Sequence, residues 1–291
     1  MRHSEAGERS PCLIRKHLPR MSVLLPVRKW PEFSSNHGPA IARDRGMVLA
    51  PSGRVRILLA NPNSTESLTE ACAALARRAA SPGTLIESWS NCEGPSAVDS
   101  MYADYMAGRP LALALAALSP PPDAIVLAGF GNYGTGAVKE ALEVPVVSMA
   151  EAAMAMAVPL CHRFAIVTTA ARMIPYTEDV VQLAGFASRC AAVRAVELPP
   201  GSEGSLDERR VLDGLGAVIS SVTGDTGADL VILGGARLSP YAAPLRAQSR
   251  VPVLEPVACG VQMAEALVRL GLAQSKTGKY APPPRDFKEY E

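Results

Sequence analysis

Four short segments combine glycine, asparagine and threonine in patterns that could bind a small carbonyl or carboxylate compound. Glycine lets the backbone approach a ligand closely and leaves its N–H free to donate a hydrogen bond. Loop N–H groups of this kind suit a carboxylate or phosphate oxygen, and threonine hydroxyls add further donors. The four segments are Asn61-Pro62-Asn63, Gly129 to Gly134, Thr168-Thr169 and Gly234 to Leu238.

Two side chains within these segments could do more than bind. Tyr133 lies in the first glycine loop, where it could donate a proton or only pack over the loop. Arg237 is the only charged residue of the second glycine loop, where it could clamp a carboxylate or turn to solvent. The first loop, GFGNYGTG, does not have the frame of a dinucleotide-binding GxGxxG turn, so we expect no nucleotide cofactor.

The elements around these segments predict an α/β fold. Apolar strands alternate with helices, and the passage DAIVLAGF followed by VPVVSM returns as ADLVILGG followed by VPVLEP. This repetition predicts two similar doubly wound lobes, each with a parallel sheet covered by helices on both faces. Ligands bind beyond the carboxyl ends of the strands in such sheets, so the four segments should meet in a cleft between the lobes.

We predict the following organisation of the chain. Residues 1–53 form a disordered tail or an over-long gene start, because they show neither helical nor strand periodicity. The first lobe spans 54–148 and is completed by a C-terminal helix over 257–272. The second lobe spans 149–256, and residues 273–291 form a C-terminal tail.

Charge and cysteine content narrow the function classes. The formal net charge is +1, which is too small to attract nucleic acid or an anionic membrane. The six cysteines form no metal-binding pattern, and they are typical of reduced thiols in a cytoplasmic protein. No apolar run reaches the roughly 18 residues of a membrane span. We expect a small-molecule partner and, from the lobe faces, a possible homo-oligomer.

Several motifs resemble the hydantoin/allantoin racemase branch of the aspartate/glutamate racemase superfamily. ILLANPNS is similar to its opening strand and loop, RFAIVTTAARMIPYTEDVV to the start of its second lobe, and AEALVRLGLAQSKTGKYAPP to its C-terminal segment. The resemblance runs from about Val55 to Pro283. It implies a cofactor-independent enzyme in which two cysteines, one from each lobe, move a proton at the carbon next to a carbonyl.

Both cysteine positions depart from that pattern. Gly129-Phe130-Gly131 stands where the family has a Cys-Phe-Gly segment, and Gly235 stands where a Gly-Cys-Ala-Gly segment has its cysteine. Racemisation by two thiols therefore cannot operate as such. Tyr133 or Cys259 could carry the proton instead, and Cys92 is a further thiol near the end of the second strand.

We therefore expect an isomerase-type enzyme acting on a hydantoin, allantoin or carboxylate-like amino-acid derivative, with altered proton transfer. The alternatives are a decarboxylase or lyase on the same scaffold, and a ligand-binding protein derived from a racemase. The expected substrate-binding residues come from the four segments: Asn61, Gly129, Phe130, Gly131, Thr168, Thr169, Gly235, Ala236 and Arg237.

Overall fold

Two four-stranded parallel sheets form the framework of the protein, which confirms the predicted two-lobe α/β fold. The computed structural model describes residues 54–197 and 208–284. The prediction of a tail over residues 1–53 lies outside the described residues, as do residues 285–291 of the predicted C-terminal tail.

The first sheet has the order β2-β1-β3-β4, and all its strand pairs are parallel. Its central strands have apolar middle residues that are buried on both faces, as expected for a sheet covered by helices on both sides. The elements of this part are β1 (Arg56–Asn61), α1 (Glu66–Ala79), β2 (Leu85–Ser90), α2 (Met101–Ala116), β3 (Ala124–Leu127), α3 (Thr135–Ala141), β4 (Val146–Ser148) and α4 (Met149–Ala157).

The second sheet repeats the same arrangement, with the order β6-β5-β7-β8 and parallel pairs throughout. Two 3-10 turns, Ala171–Met173 and Ala236–Tyr241, follow β5 and β7. The regular elements are β5 (Phe164–Thr168), α5 (Ile174–Leu183), β6 (Cys190–Ala195), α6 (Glu208–Thr226), β7 (Leu230–Leu233), α7 (Ala242–Gln248), β8 (Val253–Leu254) and α8 (Pro256–Arg269).

A single apolar cluster links the two sheets. It contains Leu59 and Val126 from the first sheet, Ile166 and Ile232 from the second, and Met149 from α4 between them. Helix α8 follows the last strand of the second sheet but packs against α1, α4 and β3. The loops at the carboxyl ends of both sheets are therefore held on one continuous core.

Glu265 fixes α8 to the first lobe from a fully buried position. Its carboxylate accepts hydrogen bonds from the Ser81 N–H at 2.8 Å and the Ser81 hydroxyl at 2.5 Å, and it pairs with Arg269 at 3.3 Å. Burial by itself raises the pKa of Glu265, but the hydrogen bonds from Ser81 and Thr84 and the charge of Arg269 lower it below the ordinary value.

We expect Glu265→Gln to lower the free energy of unfolding at pH 7 by about 1.5–3 kcal/mol, because charge-assisted hydrogen bonds are lost. A lowered carboxyl pKa contributes stability above the pKa of the unfolded state, and this contribution is lost as the pH falls through the folded-state pKa. The free energies of unfolding of both proteins, measured in urea, should therefore converge as the pH falls through the lowered pKa of Glu265. Glu70→Gln, at an exposed ion pair with Arg77, is the control and should change little.

The chain beyond α8 attaches to the end of α3. The Gln274 side-chain amide donates to the carbonyls of Leu142 at 2.6 Å and Val144 at 2.9 Å. The Lys276 ammonium donates to the carbonyls of Lys139 and Glu140 at 2.7 and 2.8 Å. Because α3 begins directly after the first glycine loop, these contacts hold the helix that anchors this loop.

Candidate active site

The loop after β1 is held together by its own asparagine. The buried Asn61 amide donates to the Asn63 carbonyl oxygen Oδ1 at 3.0 Å and to the Thr69 hydroxyl at 2.8 Å, while its Oδ1 accepts from the Asn63 N–H at 3.2 Å. Each polar group of this side chain thus has a partner within the loop. The contacts give Asn61 a role in shaping the loop, and its predicted contact with a substrate remains a prediction.

The first glycine loop is filled by the ring of Tyr133. Tyr133 has a φ of 36° and Gly134 a φ of 71°, so the backbone turns through the left-handed region and directs the ring back over Gly129. A Cβ atom on Gly129 would overlap this ring and would stand 2.8 Å from Pro62 Cγ. Tyr133 therefore occupies the side-chain space of the first position where the resemblance places a cysteine.

Tyr133 belongs to a polar group that joins the two lobes, which we call the tyrosine–aspartate cluster (Asp104, Asn132, Tyr133 and Tyr176). The Tyr133 N–H donates to Asp104 Oδ1 at 2.7 Å, and the Asn132 N–H donates to the Tyr176 hydroxyl at 2.9 Å. The Tyr176 hydroxyl also lies close enough to the Asp104 carboxylate for each group to shift the pKa of the other. Both phenol oxygens lie within 2.7 Å of the place that a Cβ on Gly131 would take, so they are near neighbours.

Burial raises the pKa of all three titratable side chains of the cluster. Burial, reinforced by the Asp104 charge, raises the pKa of Tyr133. Burial and the neighbouring Tyr133 raise the pKa of Tyr176, although the Asn132 N–H opposes this shift. Burial also raises the pKa of Asp104, against the hydrogen bonds from Tyr133 and Tyr176. Both phenols therefore hold their protons at neutral pH, and Asp104 is a stronger base than an exposed aspartate.

A cavity of about 370 Å³ opens beside this cluster, between the start of α2 and the segment that follows β5. Tyr176 belongs to both the cavity wall and the cluster, in which its hydroxyl accepts a hydrogen bond from the Asn132 N–H. The strand-end residues predicted from the sequence are not part of this wall. The wall consists of Ser100, Met101, Tyr102, Arg172, Met173, Pro175, Tyr176 and Asp179.

The second glycine loop has more space than the first. Gly235 has an extended backbone with a φ of 174°, and the only nearby atom that a Cβ there would meet is Thr169 Cγ2 at 3.4 Å. The following turn, Ala236–Tyr241, packs against α1 and α8 of the first lobe. Thr168 is buried at the end of β5, and Arg237 is half-buried in the turn. The second position that the resemblance assigns to a cysteine therefore leaves room for a side chain.

Cys259, the cysteine predicted as a replacement, is not prepared to act as a base. Cys259 is buried in the first turn of α8, and burial together with the Glu255 charge raises its pKa to about 12. A thiol with this pKa stays protonated at neutral pH. Cys92 is exposed in the loop after β2, the edge strand of the first sheet.

Asp104 and Tyr176 are the residues that the sequence analysis missed. A signal for Asp104 exists: it stands four, seven and eleven residues before the buried Gly108, Leu111 and Leu115, so it continues the buried stripe of α2. An acidic residue on a buried stripe needs polar partners, which identifies it as a candidate for a functional role. Tyr176 has no comparable signal, because its partners come from the other lobe.

No helix within the described ranges is long and apolar enough to cross a membrane. The same residues contain no group of three or more histidine, cysteine, aspartate or glutamate side chains that could hold a metal ion.

Known proteins resemble this chain over most of its described length. The family profile of Asp/Glu/hydantoin racemases matches residues 57–264. A hydantoin racemase from Paenarthrobacter aurescens is 33% identical over 231 residues, which cover 79% of this chain and 98% of the relative. The crystal structure of allantoin racemase from Pseudomonas fluorescens is 35% identical, with a TM-score of 0.76 over 80% of this chain and 98% of that chain.

A more distant likeness agrees in fold. Unliganded arylmalonate decarboxylase superposes with a TM-score of 0.52 at 16% identity, over 77% of this chain and 96% of that one. The extent of the family match and the identity to two racemases, together with the repeated four-stranded sheets, lead to one conclusion: this chain belongs to the Asp/Glu/hydantoin racemase family.

Proposed function

We propose that this protein is an isomerase-type enzyme that removes and returns the proton on the carbon next to a carbonyl of a small amino-acid derivative. Its substrates would be hydantoin, allantoin or carboxylate-type compounds, in line with the relatives named above. The observation that carries this proposal is Tyr176, which belongs to the cavity wall and whose hydroxyl interacts with the Asp104 carboxylate.

In this proposal Tyr176 and Asp104 together act as the base. The substrate C–H bond breaks as its proton moves to the Tyr176 oxygen, and the proton that Tyr176 already holds moves to Asp104. The raised pKa of each group makes its conjugate base strong enough for the step, whereas an exposed carboxylate would be weaker. Reversal of the same transfers returns a proton to the same face of the carbon.

Proton transfer from a single face has a measurable consequence. Inversion requires a second proton carrier on the opposite face of the carbon, and the proposed mechanism has a single carrier, Tyr176 with Asp104. We therefore expect exchange of the α-hydrogen to be faster than loss of optical activity. In the two-thiol mechanism that the resemblance implies, removal and return occur on opposite faces, so each exchange event inverts the carbon.

The proposal is tested by incubating enantiomerically pure 5-benzylhydantoin and N-carbamoyl-phenylalanine with the full chain in D₂O. Proton NMR follows deuterium incorporation and chiral chromatography follows racemisation, with the uncatalysed exchange rate subtracted. Catalysed exchange at least about tenfold faster than racemisation is expected for a single proton carrier. Equal rates of exchange and racemisation would contradict the one-sided mechanism, and no exchange of either compound would contradict enzymatic activity on them.

A ligand-binding protein derived from a racemase is the second candidate. It is favoured by the lack of a thiol at either family position and by the raised pKa of Cys259, the thiol predicted as a replacement. In that case the same compounds should raise the melting temperature without exchanging their α-hydrogen, because binding stabilises the folded state whether or not chemistry follows.

A further inference from the structure

We infer that the cavity beside Tyr176 selects open-chain N-carbamoyl or N-acyl amino acids with an apolar side chain over the closed hydantoin ring. This inference rests on the proposed function only in using the same cavity, since it concerns binding rather than proton transfer. It is carried by the charges and spacing of three residues along one wall of the cavity.

Arg172, Tyr176 and Asp179 form this wall together, four and three residues apart. Tyr176 and Asp179 are three residues apart in α5 and lie on the same face of this helix, while Arg172 precedes them in the 3-10 turn Ala171–Met173. A cation, a phenol and an anion thus line the same cavity.

Both charged side chains are available to a ligand. In the part of the chain that the structure describes, neither Arg172 nor Asp179 forms a side-chain hydrogen bond or an ion pair, and both are exposed at the cavity. An arginine in this situation binds a carboxylate through two parallel hydrogen bonds, while the aspartate accepts hydrogen bonds from N–H groups.

An N-carbamoyl amino acid matches this line of groups. Its carboxylate would bind Arg172, its terminal ureido N–H groups would bind Asp179, and its α-carbon between them would face the Tyr176 hydroxyl. A hydantoin ring has no carboxylate, because ring closure converts that group into an imide carbonyl, so it leaves Arg172 without a charged partner. Arg172 would also neutralise the negative charge that develops on the carboxylate when the α-proton leaves.

The remaining wall of the cavity sets the side-chain preference. Met101, Tyr102, Met173 and Pro175 are apolar, and Met101 and Tyr102 are 58% and 75% exposed. A ligand with an aromatic or large aliphatic side chain would cover these surfaces, whereas a small polar side chain would leave them in water. The cavity of about 370 Å³ lies at the lower end of the range for small-molecule sites, which suits a ligand of this size.

Isothermal titration calorimetry of the full chain tests this inference with three probes: N-carbamoyl-phenylalanine, its carboxamide and 5-benzylhydantoin. We expect the free acid to bind at least about tenfold more tightly than the other two, the factor that corresponds to one charge-assisted interaction. Arg172→Gln should remove this advantage and leave 5-benzylhydantoin binding unchanged. Asp179→Asn should weaken binding of N-carbamoyl-phenylalanine more than binding of phenylacetate, which has no ureido group.

The control is Arg250→Gln, an exposed arginine outside the cavity, which should leave all affinities unchanged. Equal or tighter binding of 5-benzylhydantoin, or an Arg172→Gln variant that keeps the preference for the free acid, would overturn the inference. The readout is independent of turnover. If the free acid binds more tightly but its α-hydrogen does not exchange, the proposed catalysis is refuted and this inference stands. If the α-hydrogen exchanges but the free acid binds no more tightly, this inference is refuted and the proposed catalysis stands.

Discussion

Replacing Gly129 by cysteine is expected to destabilise the fold by about 3 kcal/mol, whereas Gly235→Cys is expected to change stability by less than about 1 kcal/mol. The new Cβ at position 129 would overlap the Tyr133 ring, so the loop would have to move. At position 235 the nearest atom stands at 3.4 Å and the backbone is extended, which any residue adopts. Urea unfolding monitored by circular dichroism measures both changes.

A double variant identifies the cause of this difference. Tyr133→Gly removes the ring that fills the space and also relieves the left-handed backbone at that position. The cost of Gly129→Cys should therefore be smaller in the Tyr133→Gly background by about 1 kcal/mol or more, as expected for two side chains that compete for one space. Equal costs in both backgrounds would show that Tyr133 does not exclude a side chain at position 129.

Replacing Tyr176 by phenylalanine is expected to lower the rate of α-hydrogen exchange by about 10²–10⁴-fold, the usual effect of removing a general acid–base group. The ring and its packing remain, and the lost hydrogen bond with the Asn132 N–H should cost only about 1 kcal/mol of stability. Binding of N-carbamoyl-phenylalanine should persist, which separates loss of proton transfer from loss of the site. Deuterium incorporation followed by NMR gives the rate.

Tyr105→Phe is the matched control, because Tyr105 is 72% exposed on α2 and does not line the cavity. Its exchange rate should equal that of the unmodified chain. An active Tyr176→Phe variant would exclude Tyr176 as the proton carrier.

The dependence of the α-hydrogen exchange rate on pH should show the titration of the Asp104 carboxyl. Burial raises its pKa above the ordinary value of 3.8, so its carboxylate is protonated, and unable to accept a proton, over a wider acidic range than that of an exposed aspartate. The exchange rate should therefore fall as the pH drops through the raised pKa of Asp104. Asp104→Asn should lower the exchange rate, because an amide cannot accept the proton, and the residual rate should lack this acid limb.

The fold was predictable from local patterns because its sheets are buried on both faces. Strands such as Ala124–Leu127 and Leu230–Leu233 are continuous apolar runs, and the polar turns after them mark where each strand ends. The repetition of these runs at corresponding places predicted two lobes, and the two sheets have equivalent strand orders. The motifs around Asn61 and Thr168 likewise indicate the racemase family, because they depend on residue identity alone.

The sequence by itself determined the family, the two-lobe architecture and the absence of cysteine at positions 129 and 235, because these depend on residue identity and short-range periodicity. Only the tertiary structure decided what fills the space beside Gly129, the first position where the resemblance places a cysteine. The Tyr133 ring reaches Gly129 because the backbone turns left-handed at Tyr133, and Tyr176 meets Asp104 from the opposite lobe, 72 residues along the chain. Contacts between segments so far apart leave no periodic trace in a sequence, since they depend on how two completed lobes pack.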